Sequence, residues 1–189
     1  MGSGHRVNPN LWQRNPSDTI TELLSMLTHL DDSNRAAMVD VGDKQATRRT
    51  ARAQALVVLP PSVAALFDGD DIRGPKGPVF HTAVLTGTIA AKQTSMLLPL
   101  CHPIPLDRCR FAIRLDPPAG EAAGDGRSTV VIECEVSTHA RTGVEMEALA
   151  GVYGAALAVY DMCKGVSHDI VIRETRLLSK TGGTHDVNE

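Results

Sequence analysis

The sequence predicts an α+β domain: a β-α-β-β-α-β antiparallel sheet with an extra helix in the first crossover and the helices packed on one face. Three observations predict it. A long segment opening at Thr142–Ala148 and ending Val159–Lys164 carries apolar residues at steps of three and four, which marks an amphipathic helix. Short aliphatic and β-branched runs flank it on both sides and read as strands. Clusters of Gly and Pro at 68–78 and 117–126 break the chain between these elements.

In chain order, residues 1–37 form a polar lead expected to be partly flexible. Within it Ile20, Leu23, Leu24, Met26, Leu27 and Leu30 outline a short helix over Asp18–Leu30. The first strand is expected over Thr47–Leu59, where Arg48, Arg49 and Arg52 lead into Ala55-Leu56-Val57-Val58-Leu59 and Pro60-Pro61 ends the run. Ser62–Phe67 reads as a short helix opened by proline. Asp68–Pro78 reads as loop, with Lys76 inside it. A second helix is expected over Val79–Leu97. Its small residues Ala83, Gly87, Ala90 and Ala91 point to close contact with another backbone, although Gly87 lowers its intrinsic propensity.

Leu98–Leu106 contains three prolines and is expected to run extended. Arg110–Leu115 and Thr129–Ser137 read as strands joined by a surface loop. The long helix follows. Its core face is expected at Leu149, Val152, Tyr153, Ala156, Leu157, Tyr160 and Cys163, its start after Thr142-Gly143 and its stop at Gly165. His168–Ser179 supplies the last strand, and residues 184–189 are expected to be a flexible tail.

Composition narrows the function. At 189 residues the chain is long enough for one domain with a real core. A net charge of -3 implies no global attraction to nucleic acid or to a membrane surface. Aromatic residues make up only 3%, too few for a base-stacking surface. No apolar run is long and clean enough to span a bilayer. The four cysteines, Cys101, Cys109, Cys134 and Cys163, form no C-x-x-C, and three sit in apolar segments as small core residues. A reducing, cytoplasmic setting fits that usage.

Several familiar signatures fail. Lys180-Thr181-Gly182 has no S-x-x-K to accompany it, and no phosphate-binding G-x-x-x-x-G-K-[ST] occurs. Cys101 and His102 are adjacent in an extended segment, so they face opposite ways and do not pair as nucleophile and base. No spacing of His and Cys supports a metal site. What remains is a set of polar residues on loops and element ends: Asp40, Lys44, Arg49, Arg52, Lys76, Cys101, His102, Glu145, Glu147, Asp161, Lys164 and Lys180. For Asp161 and Lys164, three residues apart on one helix, the plain alternative is charges that complement the helix dipole. Taken together the set suits cations for phosphate groups plus an acid/base pair.

Longer words narrow this further. Met38-Val39-Asp40-Val41, Lys76-Gly77, Ala91-Lys92-Gln93-Thr94, Leu98-Pro99-Leu100-Cys101-His102, Thr142-Gly143-Val144-Glu145-Met146-Glu147-Ala148, Tyr160-Asp161-Met162-Cys163-Lys164 and Lys180-Thr181-Gly182-Gly183 together resemble the MoaC family. The resemblance spans residues 38–183. Gly42 stands where that family often has serine, and the lead is longer than the family's.

The resemblance implies a ferredoxin-like fold and a homohexamer built as a trimer of dimers. It also implies a cyclic pyranopterin monophosphate synthase of molybdenum cofactor biosynthesis, a phosphorus–oxygen lyase. Such an enzyme takes 3′,8-cyclo-7,8-dihydroguanosine 5′-triphosphate to the cyclic phosphate and releases pyrophosphate. By the matching motifs, Asp161 is the expected base, Lys164 the acid or charge stabiliser, and Lys76 a phosphate holder or proton-transfer partner. Leu100, Cys101, His102, Met146 and Glu147 are expected to contact substrate, and Glu145 to act as a further acid or base-recognition group. Lys44, Arg49 and Lys180 are expected on the phosphates. No tightly bound cofactor is expected, and Mg²⁺ could accompany the triphosphate. The long helix separates its two polar ends by about 24 Å at ~1.5 Å per residue, so two chains are expected to build each site. The competing readings are a non-catalytic nucleotide-binding regulatory domain and a structural oligomerisation module.

Overall fold

The computed structural model describes residues 35–118, 124–183 and 185–188. Residues 35–40 belong to a separate N-terminal unit, and the helix expected over Asp18–Leu30 lies outside the described residues.

From Val41 onward the chain folds around one five-stranded sheet. In order come β1 (Thr47–Leu59), α1 (Pro61–Ala64), β2 (Arg73–Gly74), β3 (Gly77–Pro78), α2 (Val79–Lys92), α3 (Thr94–Leu97), β4 (Arg108–Asp116), β5 (Ser128–Ala140), α4 (Glu145–Cys163), β6 (Val171–Thr181) and β7 (Val187–Asn188). The sheet runs β4-β5-β1-β6-β7, antiparallel throughout, while β2 and β3 form a small hairpin of their own. Taking the four long strands alone, the order is second, third, first, fourth. That is the sheet order of a ferredoxin-like α+β fold, as the sequence predicts.

Alternation builds the core. Along β1, Ala51, Ala53, Ala55, Val57 and Leu59 are fully buried beneath the helices, and Val130, Ile132, Cys134 and Val136 of β5 lie in the same cluster. The small β1 residues let α4 lie close to the middle of the sheet. On the opposite face charged residues pair across strands: Arg52 with Glu133 at 2.9 Å, Arg114 with Glu133 at 3.6 Å, Arg108 with Glu135 at 3.9 Å. Two register shifts between β1 and β6, at Arg52/Ala53 and Leu56/Val57, bend that edge of the sheet.

The two long helices touch through small residues. A Cβ on Gly87 of α2 would come within 2.7 Å of the Gly151 carbonyl oxygen, and one on Gly154 of α4 within 2.6 Å of Ala90 Cβ. This packing corrects the core face expected for α4. Ala148, Gly151, Val152, Gly154, Ala155, Ala156, Ala158, Val159, Met162 and Cys163 are buried, whereas Tyr153 and Leu157 are 48% and 47% exposed. The close helix contact leaves no room for large side chains, so they lie outside.

Other expectations shift at their ends. The helix expected over Val79–Leu97 breaks at Gln93, where the buried Thr94 hydroxyl bonds back to the carbonyls of Ala90 and Ala91 at 3.3 and 3.0 Å. The helix after Pro60 is one turn long, ending at Ala64 instead of Phe67. Val144 is the N-cap residue of α4 and supplies no side-chain cap. β5 extends to Ala140 because its end pairs with Thr47 of β1. The tail adds the short strand β7 to the sheet edge, and the segment expected as loop contains the β2–β3 hairpin. Cys109 and Cys134, on neighbouring strands, bring their sulfurs to 3.8 Å as free thiols.

Candidate active site

The C-terminal end of α4 carries the first polar cluster. Asp161 and Lys164 are one turn apart, and Lys164 Nζ lies 2.8 Å from Asp161 Oδ1. Lys76 reaches them from the tip of the β2–β3 hairpin. Gly77 there has φ of 105°, a left-handed conformation that glycine adopts at low cost. Lys76 Nζ donates to Asp161 Oδ2 at 2.8 Å and to the Asp161 backbone oxygen at 3.2 Å. Asp161 thus has one ammonium on each carboxylate oxygen.

These groups are about half exposed, so the cluster is open to solvent and to a ligand. Hydrogen bonding from Lys164, then from Lys76, lowers the Asp161 carboxyl to about 2. The same pairing raises Lys164 above its ordinary value. As it stands, then, Asp161 is a carboxylate with little basicity and Lys164 a firmly held cation.

A shallow hollow of about 260 Å³ opens beside Asp161, lined by Thr82, Thr86, Leu157, Ala158 and Met162. Thr82 donates its hydroxyl proton to Pro78 O at 2.7 Å and Thr86 to Thr82 O at 2.9 Å, which leaves acceptor lone pairs on both. The sequence reading misses these threonines. Their one-turn spacing on the helix after Lys76 is the signal that could have found them.

The second cluster sits at the N-terminal end of α4. Glu145 pairs with Lys180 of β6 at 2.9 Å. Lys180 stands opposite Ala51 in the ladder and so shares the helix-facing side of the sheet. Arg49 has the same parity on β1, and its Nε donates to Ala140 O at 3.4 Å. Gly182, with φ of 87°, turns the chain tightly here; a Cβ on it would collide with the Arg48 carbonyl oxygen. Arg52 has the opposite parity and bonds Glu133 on the open face, so it joins neither cluster. Lys44 lies in the exposed turn that precedes β1, where its N–H donates to Val41 O at 3.1 Å.

Glu147 is the group whose surroundings depart most from the sequence reading. It is only 5% exposed, and burial, with the charge of Glu145 a smaller cause, pushes its carboxyl up to about 7. Its place in the stripe of small buried residues Gly151, Gly154 and Ala158 marks it as inward-facing. Burial, then the charge of Glu147, raises the Cys101 thiol, which places the segment Leu98–Leu106 at this end and keeps Cys101 protonated. That segment is fastened to β5 by Thr138 Oγ1 donating to Pro105 O at 2.6 Å and Asp107 N to Ser137 O at 2.9 Å. His102 adjoins Cys101, and Leu100 and Met146 are 37% and 40% exposed.

The structure therefore brings the candidate residues together in two groups. Lys76, Asp161 and Lys164 form one; Glu145, Met146, Glu147, Lys180, Arg49 and Cys101 gather around the other. Glu145 and Asp161 are sixteen residues apart on one unbroken helix, about 24 Å along its axis at ~1.5 Å per residue. Among the described residues no three His, Cys, Asp or Glu side chains are arranged to hold a metal ion, and no helix is long and apolar enough to cross a membrane.

Comparison with known proteins adds an independent line. Residues 38–183 match the MoaC family. A cyclic pyranopterin monophosphate synthase of Xanthomonas campestris pv. campestris is 48% identical over 161 residues, covering 85% of this chain and 92% of that protein. A protein of the same description from Pelotomaculum thermopropionicum is 47% identical over 166 residues, covering 88% of this chain and 92% of its own. A molybdenum cofactor biosynthesis bifunctional protein of Synechocystis is 43% identical over 164 residues, which is 87% of this chain and 46% of that longer protein.

Proposed function

The chain belongs to the MoaC family, and on that premise we propose that it is a cyclic pyranopterin monophosphate synthase of molybdenum cofactor biosynthesis. The substrate is 3′,8-cyclo-7,8-dihydroguanosine 5′-triphosphate, and the reaction closes a cyclic phosphate and expels pyrophosphate, which makes the enzyme a phosphorus–oxygen lyase. The observation that carries the reading is the Asp161 carboxylate held between two lysine ammoniums at 2.8 Å each.

That arrangement suits a triphosphate. Phosphate oxygens compete with Asp161 for Lys76 and Lys164. As the ammoniums turn to the ligand, the hydrogen bonds that hold Asp161 near 2 weaken, and its basicity rises where a proton must be taken. The lysines then stabilise charge developing on the phosphoryl oxygens. At the other end of the helix Glu147, held near 7, gives and takes protons at neutral pH. Leu100, Cys101, His102 and Met146 contact the substrate, with Glu145 as a further acid or base-recognition group. Lys44, Arg49 and Lys180 take the phosphates. Mg²⁺ accompanying the triphosphate would neutralise part of its charge.

Each site takes the Lys76–Asp161–Lys164 end from one protomer and the Glu145–Glu147 end from another, because α4 keeps these ends of one chain ~20 Å or more apart at ~1.5 Å per residue. The assembly is a homohexamer, a trimer of dimers, working in the cytoplasm on a small nucleotide-derived molecule. The exposed apolar residues Leu85, Ile89, Tyr153 and Leu157 on the helix layer suit such contacts.

Incubation with the cyclised triphosphate, following pyrophosphate, tests the reading. Stoichiometric pyrophosphate with cyclic phosphate product supports it. Tight binding without pyrophosphate release would favour a regulatory nucleotide-binding domain, and protection from melting by no nucleotide at all would favour a structural module.

A further inference from the structure

Asp71 belongs to no motif and stands in a stretch that reads only as loop. It is nevertheless 6% exposed, and its carboxylate accepts three backbone hydrogen bonds. Oδ1 takes Ile72 N–H and Phe80 N–H, both at 2.7 Å, and Oδ2 takes His81 N–H at 3.2 Å. Phe80 and His81 are the second and third residues of α2, whose first-turn N–H groups have no partner within the helix. An N-cap side chain ordinarily accepts from them. Here the N-cap residue is Pro78, which has no side-chain acceptor. Asp71 does that work from the far side of the β2–β3 hairpin.

One carboxylate therefore grips both ends of the segment that carries Lys76: Ile72 where the chain enters the hairpin, Phe80 and His81 where it leaves. Backbone bonds from Val79 N to Ile72 O at 3.1 Å and from Arg73 N to Leu66 O at 3.0 Å close the same base. Asp68 fixes the approach, accepting from Asp70 N, Asp71 N and Arg73 Nε at 3.1, 2.9 and 2.8 Å. The hairpin then lies against the end of α4, where a Cβ on Gly74 would touch Met162 O at 3.4 Å. The Lys76–Asp161 pair is half exposed, and exposed ion pairs contribute little to holding a backbone in place. The clamp at the base, not the pair at the tip, sets where Lys76 stands.

We propose that Asp71 is a positioning residue for Lys76, holding the hairpin so that the lysine meets Asp161 and the substrate phosphate. The proposal rests on the assignment of Lys76 to the reaction. Asp71 itself touches no reacting atom.

Turnover of the cyclised triphosphate and thermal unfolding are measured on the full chain, with turnover taken well below each variant's Tm. The set is Asp71→Ala, Asp71→Asn, Lys76→Ala, Asp71→Ala with Lys76→Ala, and Asp71→Ala with Pro78→Asp. Asp71→Ala is expected to lower kcat at least ~10-fold, since a misplacement of about 1 Å can cost up to 100-fold. Added to Lys76→Ala it should lower kcat no further, because both act through one group. Pro78→Asp restores a local cap, so it should recover Tm in the Asp71→Ala background while kcat stays low. Asp71→Asn keeps the Oδ1 acceptor and should fall between; if Asp71→Ala does not fold, the same comparisons are made on Asp71→Asn.

Near-normal kcat in folded Asp71→Ala overturns the proposal. So does full multiplication of its loss with that of Lys76→Ala, or recovery of kcat together with Tm when Pro78→Asp is added, which would leave Asp71 a cap and nothing more. An inactive Lys76→Ala beside a normal Asp71→Ala removes the positioning role alone. A normal Lys76→Ala removes the role of Lys76 and, with it, this proposal.

Discussion

Lys164 Nζ stands 2.8 Å from Asp161 Oδ1, one turn along the same helix, while the other oxygen of that carboxylate is taken by a lysine from a different element. The pair is exposed, so it contributes little to stability. Replacing Asp161 or Lys164 by Ala should leave folding and assembly unchanged and lower turnover at least ~100-fold, the scale of acid–base groups. Circular dichroism, size-exclusion chromatography and pyrophosphate release check this. Near-normal turnover in either variant would show that its residue is not an acid or base of the reaction.

Lys76 donates to the carboxylate and the backbone oxygen of Asp161 and sits at an exposed hairpin tip. Lys76→Ala is therefore expected to change Tm by no more than about a degree or two, as exposed ion pairs contribute little to stability. Activity should drop by at least ~100-fold. A large fall in Tm with activity intact below it would make Lys76 a structural lysine.

Glu147 makes a pH prediction. Its folded-state value, about 7, lies above the ordinary 4.5, so between these two pH values the folded chain holds a proton that the unfolded chain has released. Stability from this group is fully present below pH ~4.5 and is lost as pH rises to about 7, beyond which the loss is constant. The separation corresponds to on the order of 3 kcal/mol at about 1.4 kcal/mol per pH unit. Urea unfolding at pH 5 and pH 8 should show wild type losing stability relative to Glu147→Gln by an amount of that order. Equal pH dependence in the two proteins would mean that Glu147 ionises normally in the folded chain.

The main lines of the fold are legible because each long element repeats one signal many times. Burial alternates from Ala51 to Val57, and the long helix keeps one buried side over five turns. The rotation of that helix is not legible, because its buried side is largely Gly and Ala, which carry little hydrophobic signal. Tyr153 and Leu157 carry strong signal and lie outside. The Lys76 hairpin is hidden for another reason: Gly and Pro announce a turn without saying that two-residue ladders flank it. The capping role of Asp71 is invisible to local rules, since its acceptor oxygens lie nine and ten residues from the α2 donors they serve. For the candidate site, residue types and the Asp161–Lys164 spacing can be read from the chain, but burial cannot. Glu145 and Glu147 look alike in the sequence. Only packing separates an ion-paired carboxylate from one held near 7.

The central claim is that each site is shared between chains, because α4 holds its two polar clusters about 24 Å apart at ~1.5 Å per residue and no proline bends it. Subunit mixing tests this most directly. Glu147→Ala and Asp161→Ala proteins, each inactive alone, are combined under conditions in which exchange is verified by mass spectrometry of the mixed assembly. A shared site predicts that pyrophosphate release returns, since some mixed interfaces place an intact Glu147 end beside an intact Asp161 end. Verified exchange with no activity above either parent would contradict it.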